Sequence, residues 1–322
     1  MTFPFRRLPF LTIVNVIQNI DVEDFINFIQ MSTKMRTLVK LSKVHILLNV
    51  FSNARIGFEK LSDPGRNKQV EFFLKPNSMK KQKKISFEPF VCRKSMYRCE
   101  ENFEEYRRIM DDFVDIFIVS SASFDMRSTP SDISVQCLEY ALSLGLTFKK
   151  VQLLISKEHS MDCCQKVLSI CARASELSIH LLDYSEEFYL LDRFREYKIN
   201  VFELTITRNF EWFTVDHLLA LINCTNVRIY DVNLSDADFN KFLKHWVTGV
   251  GKMETLCVGL ESSEGREENL INADDVMDGI PRREILQDEK FEVEGPNGIK
   301  ANVWCFGLRF SIGDIDLETL LN

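Results

Sequence analysis

The sequence NVRIYDVNLSDADFNKFLKHWV, residues 226–247, combines the two patterns that decide the fold of this chain. Val227 and Ile229 alternate with polar residues, which predicts a short β-strand. Ser235 and Asp238 form a capping box, which predicts where a helix begins. Four apolar residues then follow at the spacing of one helix face: Phe239, Phe242, Leu243 and Trp246. The segment therefore predicts a strand followed by a helix that buries one side.

The same strand–helix unit recurs through the second half of the chain. Short alternating segments have centres 26, 25, 25 and 27 residues apart, at Leu153, Ile179, Leu204, Ile229 and Leu256. Helical stripes lie between them, starting near Cys164, Leu190, Val215 and Phe239, with expected N-caps at Ser160, Ser185, Thr214 and Ser235. Parallel strands need crossovers of about this length. The sequence thus predicts a leucine-rich-repeat-like solenoid with a mainly parallel sheet, an acidic loop over 263–300 and a final strand, Val303–Ile312.

Alternation also predicts which side chains lie on the face of the sheet away from the helices. If the five centres point toward the helices, one row on the other face holds Gln152, Ser178, Glu203, Arg228 and Thr255. The next row holds Leu154, His180, Thr205, Tyr230 and Cys257. Solenoids commonly bind partners through such a face, and Arg and Tyr are enriched in binding hot spots. We therefore predict that a substrate protein contacts His180, Thr205, Arg228 and Tyr230.

The N-terminal residues predict three short helices. Pro9 is expected in the first turn of the first helix, and Asp21 and Ser32 are expected to cap the second and third. Apolar residues follow each of these starts at helical spacing. None of the three segments is long enough to be stable alone, so they must pack on each other or on a partner.

This stretch resembles the F-box, the module that docks onto the Skp-family adaptor of SCF ubiquitin ligases. Leu8 and Pro9 match the opening pair of the motif, and aliphatic and aromatic residues match its first two helices. The resemblance implies that the adaptor is bound by Leu8, Pro9, Ile13, Val16, Ile17, Ile20, Phe25 and Phe28. Leu11 and Met35 depart from the usual pattern.

Residues 200–260 resemble the type 2 F-box-associated domain of nematode F-box proteins. Trp212, Cys224, the strand residues Val227 and Ile229, and the run 242–246 carry this resemblance. Together the two resemblances imply a non-catalytic substrate receptor, in which the F-box binds the Skp-family adaptor and, through it, cullin. The predicted organisation is an F-box over 1–43, a basic connecting region of unknown fold over 44–110, and a strand–helix repeat domain over 111–322.

Two alternatives to the substrate-receptor role stay open, and the first depends on charge. From Lys34 to Arg98 there are 16 Lys or Arg against 4 Asp or Glu, although the net charge of the chain is −7. A basic stretch of this kind occurs in nucleic-acid binders, but also in solvated loops. The second alternative is an interaction module whose F-box does not engage a ligase.

The sequence does not predict catalytic or cofactor chemistry. Gly249, Gly251 and Lys252 resemble a phosphate loop, but Trp246 and Met253 stand where that motif needs Gly and Ser or Thr. Nine scattered cysteines without a CxxC pair predict reduced thiols in the cytoplasm or nucleus. We expect no enzyme activity, cofactor, bound metal or disulfide, and no membrane span.

Overall fold

The computed structural model divides the chain into two compact units, Met1–Val151 and Gln152–Asn322. The structure describes the following residues: 8–20, 32–51, 56–60, 70–72, 103–126, 132–156, 166–167, 169, 173–182, 199–207, 212–249, 251–260, 271–286, 290–295, 298, 300–306 and 309–313.

The first unit is a small sheet with helices. Its elements are α1 (Phe10–Asn19), α2 (Thr33–Leu41), β1 (His45–Phe51), β2 (Ile56–Lys60), β3 (Val70–Phe72), α3 (Phe103–Ile116), β4 (Ile118–Met126) and α4 (Asp132–Ser143). β1 pairs parallel with β4 and antiparallel with β2, and β2 pairs antiparallel with β3. β5 (Phe148–Ser156) lies beside β4 in the strand order, and the division between the units falls after its fourth residue, Val151.

The first and third predicted N-terminal helices form, as α1 and α2. Pro9 occupies the N-cap position of α1, one residue before the predicted place, and Ser32 caps α2 by accepting a hydrogen bond from the Met35 amide at 3.3 Å. The second predicted helix, with Asp21, lies outside the described residues, so the three-helix F-box stays a prediction. Arg36 donates to Asp112 at 2.6 Å and ties α2 to α3.

The region whose fold was unknown, 44–110, contributes regular structure to the first unit. β1, β2, β3 and the first half of α3 lie within it. The predicted boundary after residue 110 falls inside α3, whose buried residues Ile109, Met110 and Phe113 stand on both sides of it. The core of the first unit therefore uses residues from both sides of that boundary.

The second unit contains the strand–helix segment. After β5 its elements are β6 (Glu176–Leu182), β7 (Val201–Thr207), α5 (Val215–Ala220), β8 (Asn226–Val232), α6 (Asp236–Val247), β9 (Thr255–Leu260), α7 (Ala273–Val276), β10 (Arg282–Leu286), β11 (Lys290–Glu294), β12 (Lys300–Phe306) and β13 (Arg309–Ile312). From β6 the strand order runs β6-β7-β8-β9-β13-β12-β11-β10.

The parallel part of this sheet confirms that consecutive strands are neighbours. β6, β7, β8 and β9 pair in parallel, with Ile179 opposite Leu204 and Leu204 opposite Ile229. The prediction for the last strand was wrong by two residues, because Ile229 lies opposite Val258 and Leu256 lies opposite Val227. The 12-residue α6 lengthens this crossover, whereas α5 before β8 has six residues.

The helices of the second unit cover one face of its sheet. Phe239 of α6 stacks on Phe310 of β13, with ring centroids 4.5 Å apart. Trp246 is buried, as predicted, and donates from Nε1 to the Met253 carbonyl at 3.1 Å. Ser235 and Asp238 form the expected capping box, in which the Ser235 amide donates to Asp238 at 2.9 Å. The expected helices near Cys164 and Leu190, with their caps, lie mostly or wholly outside the described residues.

The C-terminal part corrects two expectations. Residues 263–300 are not simply an acidic loop, because β10 and β11 form within them. The single strand Val303–Ile312 is two antiparallel strands, β12 and β13, whose last pair, Phe306 and Arg309, leaves two residues between them. The sheet is therefore parallel from β6 to β9 and antiparallel from β9 to β10, and the structure does not confirm a solenoid.

Candidate protein-binding face

The face of the second-unit sheet away from α6 is polar and partly exposed. Residues on the helix side, among them Leu204, Ile229 and Val258, are fully buried. Their neighbours along each strand point to the other face because strand side chains alternate. We call this other face, formed by β6–β9 and β11–β13, the open face. It contains all four residues predicted to bind a substrate: His180, Thr205, Arg228 and Tyr230.

The register corrects the predicted rows on the open face. Ser178, Glu203 and Arg228 lie in one row, as predicted, but the next residue in that row is Cys257 and not Thr255. Cys257 therefore leaves the row of Tyr230. Gly259 lies beside Tyr230 instead, because a Cβ at Gly259 would be 3.4 Å from the Tyr230 ring. The row continues into the C-terminal strands, where Ser311 lies opposite Cys257.

Ser178, His180 and Glu203 form a polar cluster at the β6–β7 end of the open face. The Ser178 hydroxyl donates to Glu203 Oε2 at 3.1 Å and lies 3.4 Å from His180 Nε2. A serine nucleophile would need to donate to the histidine, with the carboxylate on the far side of the ring. Here the serine proton points to the carboxylate instead, so the cluster orders the sheet surface and orients Glu203.

Burial keeps two groups at the centre of the open face protonated: the Tyr230 phenol and the Cys257 thiol. Burial raises the pKa of the Tyr230 phenol, the nearby Cys257 and Glu203 raise it further, and Arg228 and Arg309 partly offset this. Burial also raises the pKa of the Cys257 thiol, again against the two arginines. Both groups are therefore neutral at physiological pH, and the charges around them belong to Arg228, Arg309 and Glu203.

Four residues of the open face were missed by the sequence reasoning: Lys290, Trp304, Arg309 and Ser311. Lys290 lies opposite Trp304, with its Nζ 4.4 Å from the ring centroid, and Trp304 lies opposite Ser311. The signal was available as alternation in the C-terminal segments, where Lys290, Glu292 and Glu294 are separated by Phe291 and Val293. The expectation of an acidic loop hid that pattern.

The residues predicted to bind the adaptor divide into buried and exposed groups. Ile13 and Ile17 are 6% and 0% exposed and belong to the core of the first unit. Pro9 and Val16 are exposed, and Leu8 and Ile20 are partly exposed. Phe25 and Phe28 lie outside the described residues. The exposed part of α1 includes the apolar Phe10 and Leu11, at 49% and 75%, together with the polar Asn15, Gln18 and Asn19.

The cysteines that the structure describes are buried and form no disulfide with each other: Cys137, Cys224, Cys257 and Cys305. Burial raises the pKa of Cys224 and of Cys305 to about 12. A nucleophilic cysteine needs a lowered pKa, so these two thiols are unreactive at neutral pH. No group of three or more His, Cys, Asp or Glu within the described ranges is placed to hold a metal ion.

The structure describes only part of the basic region, residues 34–98. Arg36 and Lys40 form ion pairs with Asp112 and Asp115, which reduces their availability to nucleic acid. The lysine cluster around position 80 lies outside the described residues. In the parts of the chain with described structure, we find no helix with the length and apolar character needed to cross a bilayer.

Comparison with known proteins gives a family match that falls on the strand–helix segment. Residues 194–258, which include β7, α5, β8, α6 and most of β9, match the family model described as F-box associated. The chain is also similar to the Skn-1 dependent zygotic transcript 15 protein of Caenorhabditis elegans, with 21% identity over 336 residues that cover 96% of this chain and 95% of the relative. No solved structure matches significantly.

The second unit thus defines an α/β protein whose sheet has one helix-covered face and one open polar face. The matched family model coincides with the part of that sheet where strands and helices alternate. Over residues 194–258 the chain is therefore similar to the F-box-associated family, in the segment where the sequence already indicated that resemblance. The matched residues do not include the N-terminal segment, where the F-box remains a prediction.

Proposed function

We propose that this chain is a substrate-receptor subunit of an SCF-type cullin ubiquitin ligase in the cytoplasm or nucleus. The observation that carries the proposal is the F-box-associated match over residues 194–258. In this role the N-terminal helices bind the Skp-family adaptor, and the open face of the second unit binds a target protein. The chain itself performs no chemistry, and ubiquitin transfer is accelerated because the target is held near the ubiquitin-loaded enzyme.

The exposed apolar surface of α1 supports the adaptor role. Phe10, Leu11 and Val16 are 49%, 75% and 37% exposed and lie on one short helix. Phe10 and Leu11 directly follow Leu8 and Pro9, so four consecutive apolar residues with exposed surface stand at the start of this helix, and exposed apolar patches commonly mark interaction sites. The buried Ile13 and Ile17 hold this helix against the rest of the first unit, so that the exposed residues have a fixed arrangement.

The test is capture of the recombinant Skp-family adaptor by the full-length chain. Leu8→Ala combined with Pro9→Ala should reduce the adaptor recovered by at least about tenfold, since interface anchors lose about 1–4 kcal/mol on truncation. The matched control is Ile285→Ala with Leu286→Ala, which removes two apolar side chains that are 49% and 47% exposed in the second unit. Wild-type recovery by the N-terminal variant would instead favour a protein-interaction module that works without a ligase.

A further inference from the structure

Three cationic side chains lie together on the open face. Arg228 of β8 and Lys290 of β11 belong to one row of side chains, because the register connects them through Cys257, Ser311 and Trp304. Arg309 of β13 lies two residues along its strand from Ser311 and therefore points to the same face. All three cations thus surround the centre of this surface.

These cations belong to strands on which cations outnumber carboxylates. Neither the Arg228 nor the Arg309 side chain forms a hydrogen bond or an ion pair with another described residue, and the Lys290 ammonium lies over the ring of Trp304. Glu203 of β7 lies opposite Arg228 and keeps its negative charge while it accepts from Ser178 at 3.1 Å, and Glu292 accepts from Lys300 at 2.8 Å. On β8, β9 and β11–β13 the described side chains of the open face include four cations, Arg228, Lys290, Lys300 and Arg309, against two carboxylates, Glu292 and Glu294, so these strands carry excess positive charge.

The spacing of the charges indicates the size of the ligand. Arg228 and Lys290 are separated by four strand-to-strand steps, which amounts to about 19 Å at roughly 4.8 Å per step. A single anion cannot contact both ends of such a row. An extended peptide rises about 3.3 Å per residue, so about six residues lying across the strands would cover it.

The middle of the row contains an unsatisfied hydroxyl. Ser311 is fully buried, and no described residue forms a hydrogen bond with its Oγ. It lies between Cys257 and Trp304, midway between Arg228 and Lys290. Cys257 beside it is also buried, at 2% exposed, so a ligand on this face contacts the more exposed Arg228, Trp304 and Lys290 and not the Ser311 hydroxyl.

We propose that the open face binds an extended acidic segment of a target protein, rich in aspartate and glutamate, across β8, β9, β13, β12 and β11. Arg228, Arg309 and Lys290 pair with its carboxylates, and Tyr230 and Trp304 provide apolar surface between them. This inference rests on the proposed function, because it names the class of target that the receptor would select.

The direct test is fluorescence anisotropy with the purified full-length chain and a fluorescein-labelled peptide that carries a run of about six glutamates. The wild-type chain should bind this peptide, and the affinity should fall as salt is added, because exposed charge pairs are screened. The matched peptide with glutamine at the same positions should bind at least about tenfold more weakly. Equal binding of the two peptides would overturn the proposal.

Charge-removing variants locate the site. Arg228→Gln with Arg309→Gln should weaken peptide binding at least about tenfold, and Lys290→Gln alone about threefold. The control is Lys244→Gln with Lys252→Gln, which removes the same charge from exposed positions outside the open face. Circular dichroism verifies that each variant is folded. An equal loss in the control pair would show a nonspecific effect of net charge and would also overturn the proposal.

A peptide with one phosphoserine and no other acidic residue distinguishes a single-anion site. We expect it to bind no better than the glutamine peptide, and tighter binding than the glutamate peptide would contradict the extended ligand. The outcome is independent of the adaptor. Adaptor capture without glutamate-peptide binding would refute only this inference, whereas peptide binding without adaptor capture would refute only the ligase role.

Discussion

Gly295 and Trp246 are in contact at a point where one methyl group would not fit. A Cβ built on Gly295 would lie 2.3 Å from Cη2 of Trp246 and 2.9 Å from two further ring atoms. The backbone at Gly295 is outside the left-handed region, so an alanine there is not strained by its own conformation. The reason for glycine at this position is the tryptophan ring.

Gly295→Ala should therefore destabilise the wild-type chain by about 1–3 kcal/mol, the usual cost of overpacking a core. Trp246→Ala should cost about 3–5 kcal/mol, because the ring is only 3% exposed and its Nε1 donates to the Met253 carbonyl. With the ring removed, Gly295→Ala should cost less than about 0.5 kcal/mol, since the obstruction is gone and alanine restricts the unfolded chain. The double variant should thus be more stable than the sum of the single changes predicts.

Urea denaturation followed by far-ultraviolet circular dichroism measures the free energy of unfolding of the wild-type chain, the two single variants and the double variant. Equal slopes of this free energy against urea concentration show that the unfolded state is the same in all four. The control is Gly259→Ala, whose Cβ would meet the Tyr230 ring at an ordinary 3.4 Å and should change stability by less than about 1 kcal/mol. If Gly295→Ala cost the same with and without the Trp246 ring, the packing argument would be refuted.

Two further predictions concern buried groups. Ser311→Ala should raise the free energy of unfolding by about 1 kcal/mol in urea denaturation, because it removes a buried hydroxyl without a partner; a loss of stability would show that the hydroxyl is bonded. Cys224 and Cys305 have pKa values of about 12 when folded against an ordinary 9.0, so the stability they contribute should be complete below pH 9 and lost as the pH rises toward 12. Cys224→Ala with Cys305→Ala should flatten this alkaline decline in urea denaturation series, and an unchanged decline would place its origin elsewhere.

The spacing of the strands was predictable where successive strand–helix repeats have equal length. Val201 and Asn226 follow Glu176 at 25-residue steps, and the three residues are aligned in the sheet. The next aligned residue is Thr255, a step of 29. Alternation alone does not reveal this change, because a shift of two residues keeps every side chain on its face. The assignment of residues to faces was therefore correct on β9, while their rows were displaced.

The N-terminal half was less predictable because its short strands and connecting segments carry weak patterns. Ser32 marked the start of α2 correctly, since a cap is a local signal. The parallel pairing of β1 with β4 joins residues more than 70 positions apart, such as Val50 and Phe124. No local pattern in the sequence specifies such a pair, so the contribution of residues 44–110 to the first unit could not be foreseen.

The charge of the open face depends on pairings that the sequence does not contain. Alternation predicts that Glu203, Arg228, Glu292 and Lys290 share a face, and by composition alone that set is neutral. The strand pairings bring Arg309 and Lys300 to the same face, and Lys300 donates to Glu292 at 2.8 Å. Glu203 lies opposite Arg228 on β7, beside the proposed site, and keeps its charge there. The excess of cations on β8, β9 and β11–β13 thus comes from strand pairings between distant segments, which no local pattern in the sequence specifies.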